Sequence, residues 1–118
     1  MNTQTAARLE AYERRYKALA AQLANIGYIA SGSLASRPSR CGKPDCSCHA
    51  DPPRLHGPYW HLTSSVNGKT VNRRFSPARA QLYNQWIAND RRLRDLIAQM
   101  RAVAAKAEEL LLKEQAGQ

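Results

Sequence analysis

The chain has 118 residues, enough for one small domain or a small core with helical extensions, and too few for a large multidomain enzyme. Lys and Arg total 18 against 9 Asp and Glu, a formal charge of +9, while 43% apolar residues argue against full disorder. No apolar run approaches the ~18–20 residues of a membrane span, and Met1 to Glu10 lacks the apolar core of a secretory signal, so a cytoplasmic protein with no membrane partner is expected.

Residues 4–26 read as a helix. Leu9, Tyr12, Tyr16, Leu19, Leu23 and Ile26 alternate at spacings of 3 and 4, which puts them on one stripe. Thr3 or Thr5 is the expected N-cap, and Gly27 stands where a left-handed residue closes a helix.

Residues 28–58 are broken by Gly32, Pro38, Gly42, Pro44, Pro52, Pro53, Gly57 and Pro58, which excludes regular helix. So long a loop in a small domain needs something to organise it. Cys41, Cys46 and Cys48 fall here, followed by His49 and His56. Three thiols cannot all pair as disulfides. A tetrahedral Zn²⁺ wants four N or S ligands, and three thiolates with one imidazole make a closed structural site. We therefore expect Zn²⁺ on Cys41, Cys46, Cys48 and His56. His56 is preferred because His49 adjoins Cys48, and neighbouring side chains rarely reach one small ion together. His61 belongs to the following strand; either of these two histidines remains an alternative fourth ligand.

Residues 59–75 read as a β-hairpin about Asn67-Gly68, the favoured pair for a type I′ turn. That turn sets Val66 against Lys69, Ser64 against Val71, Leu62 against Arg73 and Trp60 against Phe75, on a largely apolar face. The other face carries His61, Thr63, Ser65, Thr70, Asn72 and Arg74, all polar or basic.

A long helix starts at Ser76, with Ser76 as N-cap and Pro77 in the first turn. Leu82, Trp86, Asn89, Leu93, Leu96, Met100, Val103, Ala107 and Leu110 alternate at 4 and 3 over four heptads. Such a helix spans on the order of 55 Å and needs a second helix over its stripe. That helix could be residues 4–26 of the same chain or a helix of another subunit, so a homo-oligomer joined through these residues is expected. The whole is an α+β unit in three segments: an N-terminal helix (1–27), a zinc loop with a two-stranded hairpin (28–76) and a coiled-coil-like C-terminal helix (77–118).

The charge is concentrated in the middle. Residues 31–75 carry seven basic and two acidic groups, net +5, whereas each flank nets +2. A two-stranded ribbon fits the major groove of DNA. Asn72, Arg73 and Arg74 would sit on the ribbon, and Arg37, Arg40, Lys43, Arg54, Lys69 and Arg79 could hold phosphates. DNA is the expected partner, with RNA as the alternative nucleic acid. A coiled-coil adaptor that docks on a larger enzyme without touching DNA is the alternative. Catalysis is not expected. No Glu lies between Glu13 and Glu108 to act beside a metal, and the middle segment has only Asp45 and Asp51 as carboxylates.

Gly32-Ser33-Leu34, Cys41-Gly42-Lys43-Pro44-x-Cys46-x-Cys48, His56-Gly57-Pro58-Tyr59-Trp60, Asn67-Gly68-Lys69-Thr70, Trp86-Ile87 and Arg91-Arg92-Leu93 resemble an uncharacterised bacterial and archaeal domain family of unknown function. The resemblance runs over residues 31–97. It implies a small zinc-binding protein that accompanies phages and transposable elements, hence a helper or regulator of a transposase or recombinase. It implies no reaction. Gly68 to Ser76 also resembles the hairpin-to-helix junction of the arm-type DNA-binding domains of tyrosine integrases. Those domains use a three-stranded sheet, whereas two strands are legible here.

Overall fold

The structure is a computed structural model that describes residues 1–117. The order of elements is α1 (Thr3–Leu23), β1 (Ser33–Ser39), a 3₁₀ turn (Ser47–His49), β2 (His56–Val66), β3 (Lys69–Phe75) and α2 (Pro77–Ala116). The α+β class is as the sequence suggests, but the sheet has three strands in the order β1-β2-β3, both pairings antiparallel. No helix is long and apolar enough to cross a membrane. The chain gathers into two compact units: Ile29–Ala88, and Met1–Tyr28 together with the chain from Asn89 on. α2 is divided between them.

In the sheet unit the hairpin has the expected register. Trp60 faces Phe75, Leu62 faces Arg73 and Val66 faces Lys69. The turn works because Asn67 and Gly68 both take positive φ (51° and 79°), which a type I′ turn requires at its two central positions. β1 is the addition. Its sequence, Ser-Leu-Ala-Ser-Arg-Pro-Ser, has one large apolar residue and a proline, and so reads as loop. It forms a strand because β2 offers a partner: Leu34 pairs with Leu62, Ser36 with Trp60 and Arg37 with Tyr59. Pro38 is tolerated because it falls at the irregularity between Arg37 and Ser39 on an edge strand, where its missing N–H breaks no ladder bond.

The core lies on one side of this sheet. Leu62, Phe75, Ala80 and Ile87 are buried together, with Leu34, Trp60 and Tyr83 packed around them. Tyr83 links Phe75 to Trp86, with ring centroids 5.3 Å from each. The helix start is as expected: the Ser76 hydroxyl accepts the Arg79 N–H at 3.3 Å and Pro77 is the first helical residue.

In the helical unit α1 lies antiparallel to the second half of α2. Met1 reaches Glu114, Arg15 reaches Gln99, and Arg92 donates to Gln22 at 2.6 Å. The two fully covered side chains are Leu19 and Leu96, one from each stripe. The helix pairing left open by the sequence is thus made within the chain. Two expectations about α1 are corrected. The N-cap is Asn2, whose side chain accepts the Thr5 N–H at 2.7 Å, so neither threonine caps. Gly27 is not left-handed; positive φ among the glycines falls at Gly32, Gly57 and Gly68. Gly27 is small for another reason. A Cβ there would meet the Asn89 Nδ2 at 2.9 Å, and that amide donates to the Tyr28 carbonyl at 2.8 Å.

Candidate metal centre

Strand pairing brings the first and last ligands together. β1 ends at Ser39, which pairs with His56, the first residue of β2. Cys41 is therefore two residues beyond a position already fixed against His56. The intervening loop folds back by short turns. Lys43-Pro44-Asp45-Cys46 closes with the Cys46 N–H on the Lys43 carbonyl at 3.1 Å, Pro44 supplying the turn's preferred φ. Cys46 then starts the 3₁₀ turn, and the His49 N–H returns to its carbonyl at 3.0 Å. Cys48, inside that turn, is wholly buried. At the far end Gly57 holds φ of 93°, and a Cβ there would stand 2.6 Å from the Tyr59 N. Only glycine fits at this second position of β2, next to His56.

The ligand atoms of Cys41, Cys46, Cys48 and His56 all lie within 4.8 Å of one another. The Cys41 and Cys48 sulfurs are 3.6 Å apart, and the Cys46 sulfur is 3.4 Å from the His56 Nε2. Tetrahedral ligands at the zinc–sulfur length of ~2.3 Å stand about 3.8 Å apart, so the cluster needs little adjustment to hold such an ion. The three cysteines form no disulfide. The donor set is thus three soft sulfurs and an imidazole, converging on one point.

The electrostatics favour a thiolate at one position. The Cys46 thiol is pulled from its ordinary 9.0 down to about 6, first by the Cys48 backbone N–H, then by the Cys41, His56 and Cys48 side chains. Cys48 moves the other way. The Cys41 N–H, 3.4 Å from its sulfur, favours its thiolate, but burial and the adjoining Cys41 and Cys46 groups outweigh it and push the thiol up. A divalent cation would relieve that repulsion among three sulfurs.

The other two histidines are engaged elsewhere. His49 donates from Nε2 to the Cys41 carbonyl at 2.7 Å and so braces the loop from outside. His61 lies on the sheet with Nδ1 3.2 Å from the Asn72 Oδ1, while its Nε2 is buried without a partner among the described residues. Arg40 adds a second brace, its Nε donating to the Cys48 carbonyl at 3.2 Å. Both braces join residues 8 apart through backbone carbonyls, which no spacing pattern discloses.

The basic residues do not form one surface. Arg37, Tyr59, His61, Asn72 and Arg74 stand on the sheet face away from the core, as the alternating register dictates. The Arg74 guanidinium lies 4.4 Å above the Tyr59 ring. Arg73 belongs to the opposite face. It sits 5.2 Å over Phe75 and shares a hollow with Arg79, Leu82, Tyr83 and Trp86. Arg40 braces the metal loop, and Lys43 and Arg54 are tied into its turns through their backbones. Lys69 is exposed beside the hairpin turn.

The long-helix stripe is also divided. Leu82 is half exposed, and Trp86 packs on Tyr83 in the sheet unit. Asn89 and Leu96 are occupied within the helical unit, and Leu93, Met100, Val103 and Leu110 are half-buried there.

A three-stranded sheet followed by a helix, with three cysteines of the loop between the first two strands gathered against the first residue of β2, defines a small α+β protein whose Cys₃His cluster could hold a metal ion. The chain belongs to the family described as "Domain of unknown function (DUF6788)", whose model matches residues 9–84. The match starts inside α1 and ends early in α2, further towards the N-terminus than the motifs alone indicate. No curated protein and no solved structure matches the chain.

Proposed function

We propose that the protein is a zinc-organised, non-catalytic nucleic-acid-binding module whose open sheet face meets DNA. The observation that carries the reading is the sorting of side chains by the sheet. One face is spent on the core, and the other presents Arg37, Asn72 and Arg74 in adjacent rows beside a Cys₃His loop. Zinc is the ion that three thiolates and an imidazole in tetrahedral array suit best. The loop contributes the exposed Arg40, Lys43 and Arg54 as phosphate-binding groups. The three strands also supply what the likeness to arm-type integrase domains implies. The phage and transposon setting of the resembling family gives the role: a helper or regulator of a transposase or recombinase.

The test is a salt-titrated mobility shift on duplex DNA with metal analysis of the same protein. One zinc per chain is expected. Arg37→Ala with Arg74→Ala should weaken binding and lower the salt slope by about 0.9 for each phosphate no longer neutralised. Arg73→Ala, on the core side, should leave both nearly unchanged. An equal weakening by Arg73→Ala, or no binding at low salt, would remove the sheet face as the interface. A tighter complex with RNA would change the ligand and keep the surface.

A further inference from the structure

We infer that the hollow between β3 and the start of α2 is a docking site for an acidic segment of a partner protein, which seats one large apolar side chain there with carboxylates on either side. The hollow holds about 300 Å³ and is lined by Arg73 and Phe75 from β3 and by Arg79, Leu82, Tyr83 and Trp86 from α2. All six belong to the sheet unit, and β3 is an edge of the sheet. The four helical residues are spaced 3, 1 and 3, so they form one stripe of α2. Ala80 and Ile87 fill the core beside it. The stripe itself is only partly covered: Leu82 keeps 50% of its surface exposed, and Trp86 is half-buried.

Charge and size identify the occupant. Arg73 and Arg79 are both exposed, and neither has an acidic partner: every ion pair among the described residues lies in the helical unit. The carboxylates of the sheet unit, Asp45 and Asp51, stand in the metal loop. Arg73 leans over the Phe75 ring at 5.2 Å, which holds its guanidinium beside the aromatic floor. Two guanidiniums around an aromatic and aliphatic floor call for carboxylates around an apolar centre. Arg, Tyr and Trp are also the side chains that carry most of the energy of protein interfaces. A volume of about 300 Å³ is at the lower end for ligand sites, which suits a single Leu, Phe or Trp side chain as anchor. A basic segment would be repelled by the same two charges. A nucleic-acid duplex offers phosphates, but its base faces are stacked inside and leave the floor unfilled. Arg73 stands on the core side of the sheet and Arg74 on the other, so docking here does not depend on DNA at the open face.

Fluorescence anisotropy on the metal-loaded full chain tests the site, with labelled peptides that place one Leu, Phe or Trp between runs of Asp and Glu. Saturable binding of at least one of them, weakening as salt rises, is expected. Exchanging the central side chain for Ser, or the acids for their amides, should each weaken it about tenfold, through loss of the buried group or of the ion pairs. Arg73→Ala with Arg79→Ala should also weaken it about tenfold. Arg79→Glu is a second variant that leaves Arg73 on Phe75 and suits the first turn of a helix, and it too should lower affinity. Arg37→Ala with Arg74→Ala should leave peptide affinity as it is, whatever becomes of DNA binding. Zinc content and helical signal are measured on every variant to show that the fold is kept. No saturable binding, equal affinity for the Ser-centred peptide, equal weakening by the Arg37 and Arg74 pair, or an oligothymidylate whose binding depends on Arg73 and Arg79 would each overturn the proposal.

Discussion

The two units of this protein are held by different physics. The helical unit rests on repetition: i to i+4 backbone bonds, an apolar stripe on each helix, and Leu19 and Leu96 at full burial. It contains no ligand cluster among the described residues, and its order is local in sequence apart from the pairing of the helices. The sheet unit rests on a few non-local commitments. Three short strands bury only Leu62, Phe75, Ala80 and Ile87, and the residues from Arg40 to Leu55 make no strand at all. That segment carries three sulfurs that meet the His56 imidazole of β2, all four ligand atoms within 4.8 Å, in place of an apolar core. On the proposed reading, a small chain stabilises one half by packing and the other by coordination.

Stripping the metal should break this symmetry most severely. Structural zinc sites of this kind contribute on the order of 10 kcal/mol, much of it spent in ordering the ligands. Chelation, or Cys48→Ser at the buried ligand, should therefore abolish amide protection in β1 and in the loop. Protection in α1 and in α2 beyond Asn89 should persist. Hydrogen exchange read by mass spectrometry separates the two halves in one measurement. Equal loss in both would show that the units share their stability; no loss in the sheet would take the loop's order away from the metal. Acid should act in the same direction. With the Cys46 thiol held at about 6, well below its ordinary 9.0, its thiolate is present at neutral pH and is lost as pH falls through about 6. Loading should decline across that range, and the sheet unit should loosen with it.

A second, smaller lever works on packing. Leu96→Ala removes the best-buried side chain of α2 and should cost about 2–5 kcal/mol, as buried leucines do. The loss should appear in the helical unit, with zinc stoichiometry unchanged. Leu62→Ala, equally buried but at the centre of the sheet, should loosen the strands that present Cys41 and His56 and so weaken metal retention. Denaturation followed by helical signal and by metal release distinguishes the pair. If Leu96→Ala also releases metal, the division into two energetic units fails.

These differences also explain which features are legible in the amino-acid order. Periodicity speaks plainly wherever order is local. The stripe from Leu9 to Ile26, the capped start at Ser76 and the Asn67-Gly68 turn all carry their reason within a few residues. The clustering of Cys41, Cys46, Cys48 and His56 is legible too, because thiols and an imidazole so close in sequence are chemically conspicuous. β1 is not, since Ser33–Ser39 has almost no intrinsic strand character and is made by β2. The division of Arg73 from Arg74 follows from the alternation of any strand, once both are assigned to one. Neighbours in sequence look like one basic patch, and the pleat puts them on opposite faces.

Gly27 offers the finest test, because its smallness is due to a neighbour and not to its backbone. A Cβ would stand 2.9 Å from the Asn89 Nδ2, the atom that donates to the Tyr28 carbonyl. Asn89→Ala loses that hydrogen bond, and since Tyr28 is exposed, water can replace the donor; about 1 kcal/mol is expected. Gly27→Ala in the wild-type background must displace the amide and should cost a similar amount. In the Asn89→Ala background the obstacle is gone, and the same change should cost less, or should stabilise by limiting the unfolded chain. The two substitutions are therefore coupled, by more than the ~0.3–0.5 kcal/mol within which distant sites add. Chemical denaturation of the four proteins in the cycle measures the coupling. Simple additivity would mean that Asn89 and Gly27 do not share this space, and that the glycine's place at the end of α1 needs another cause.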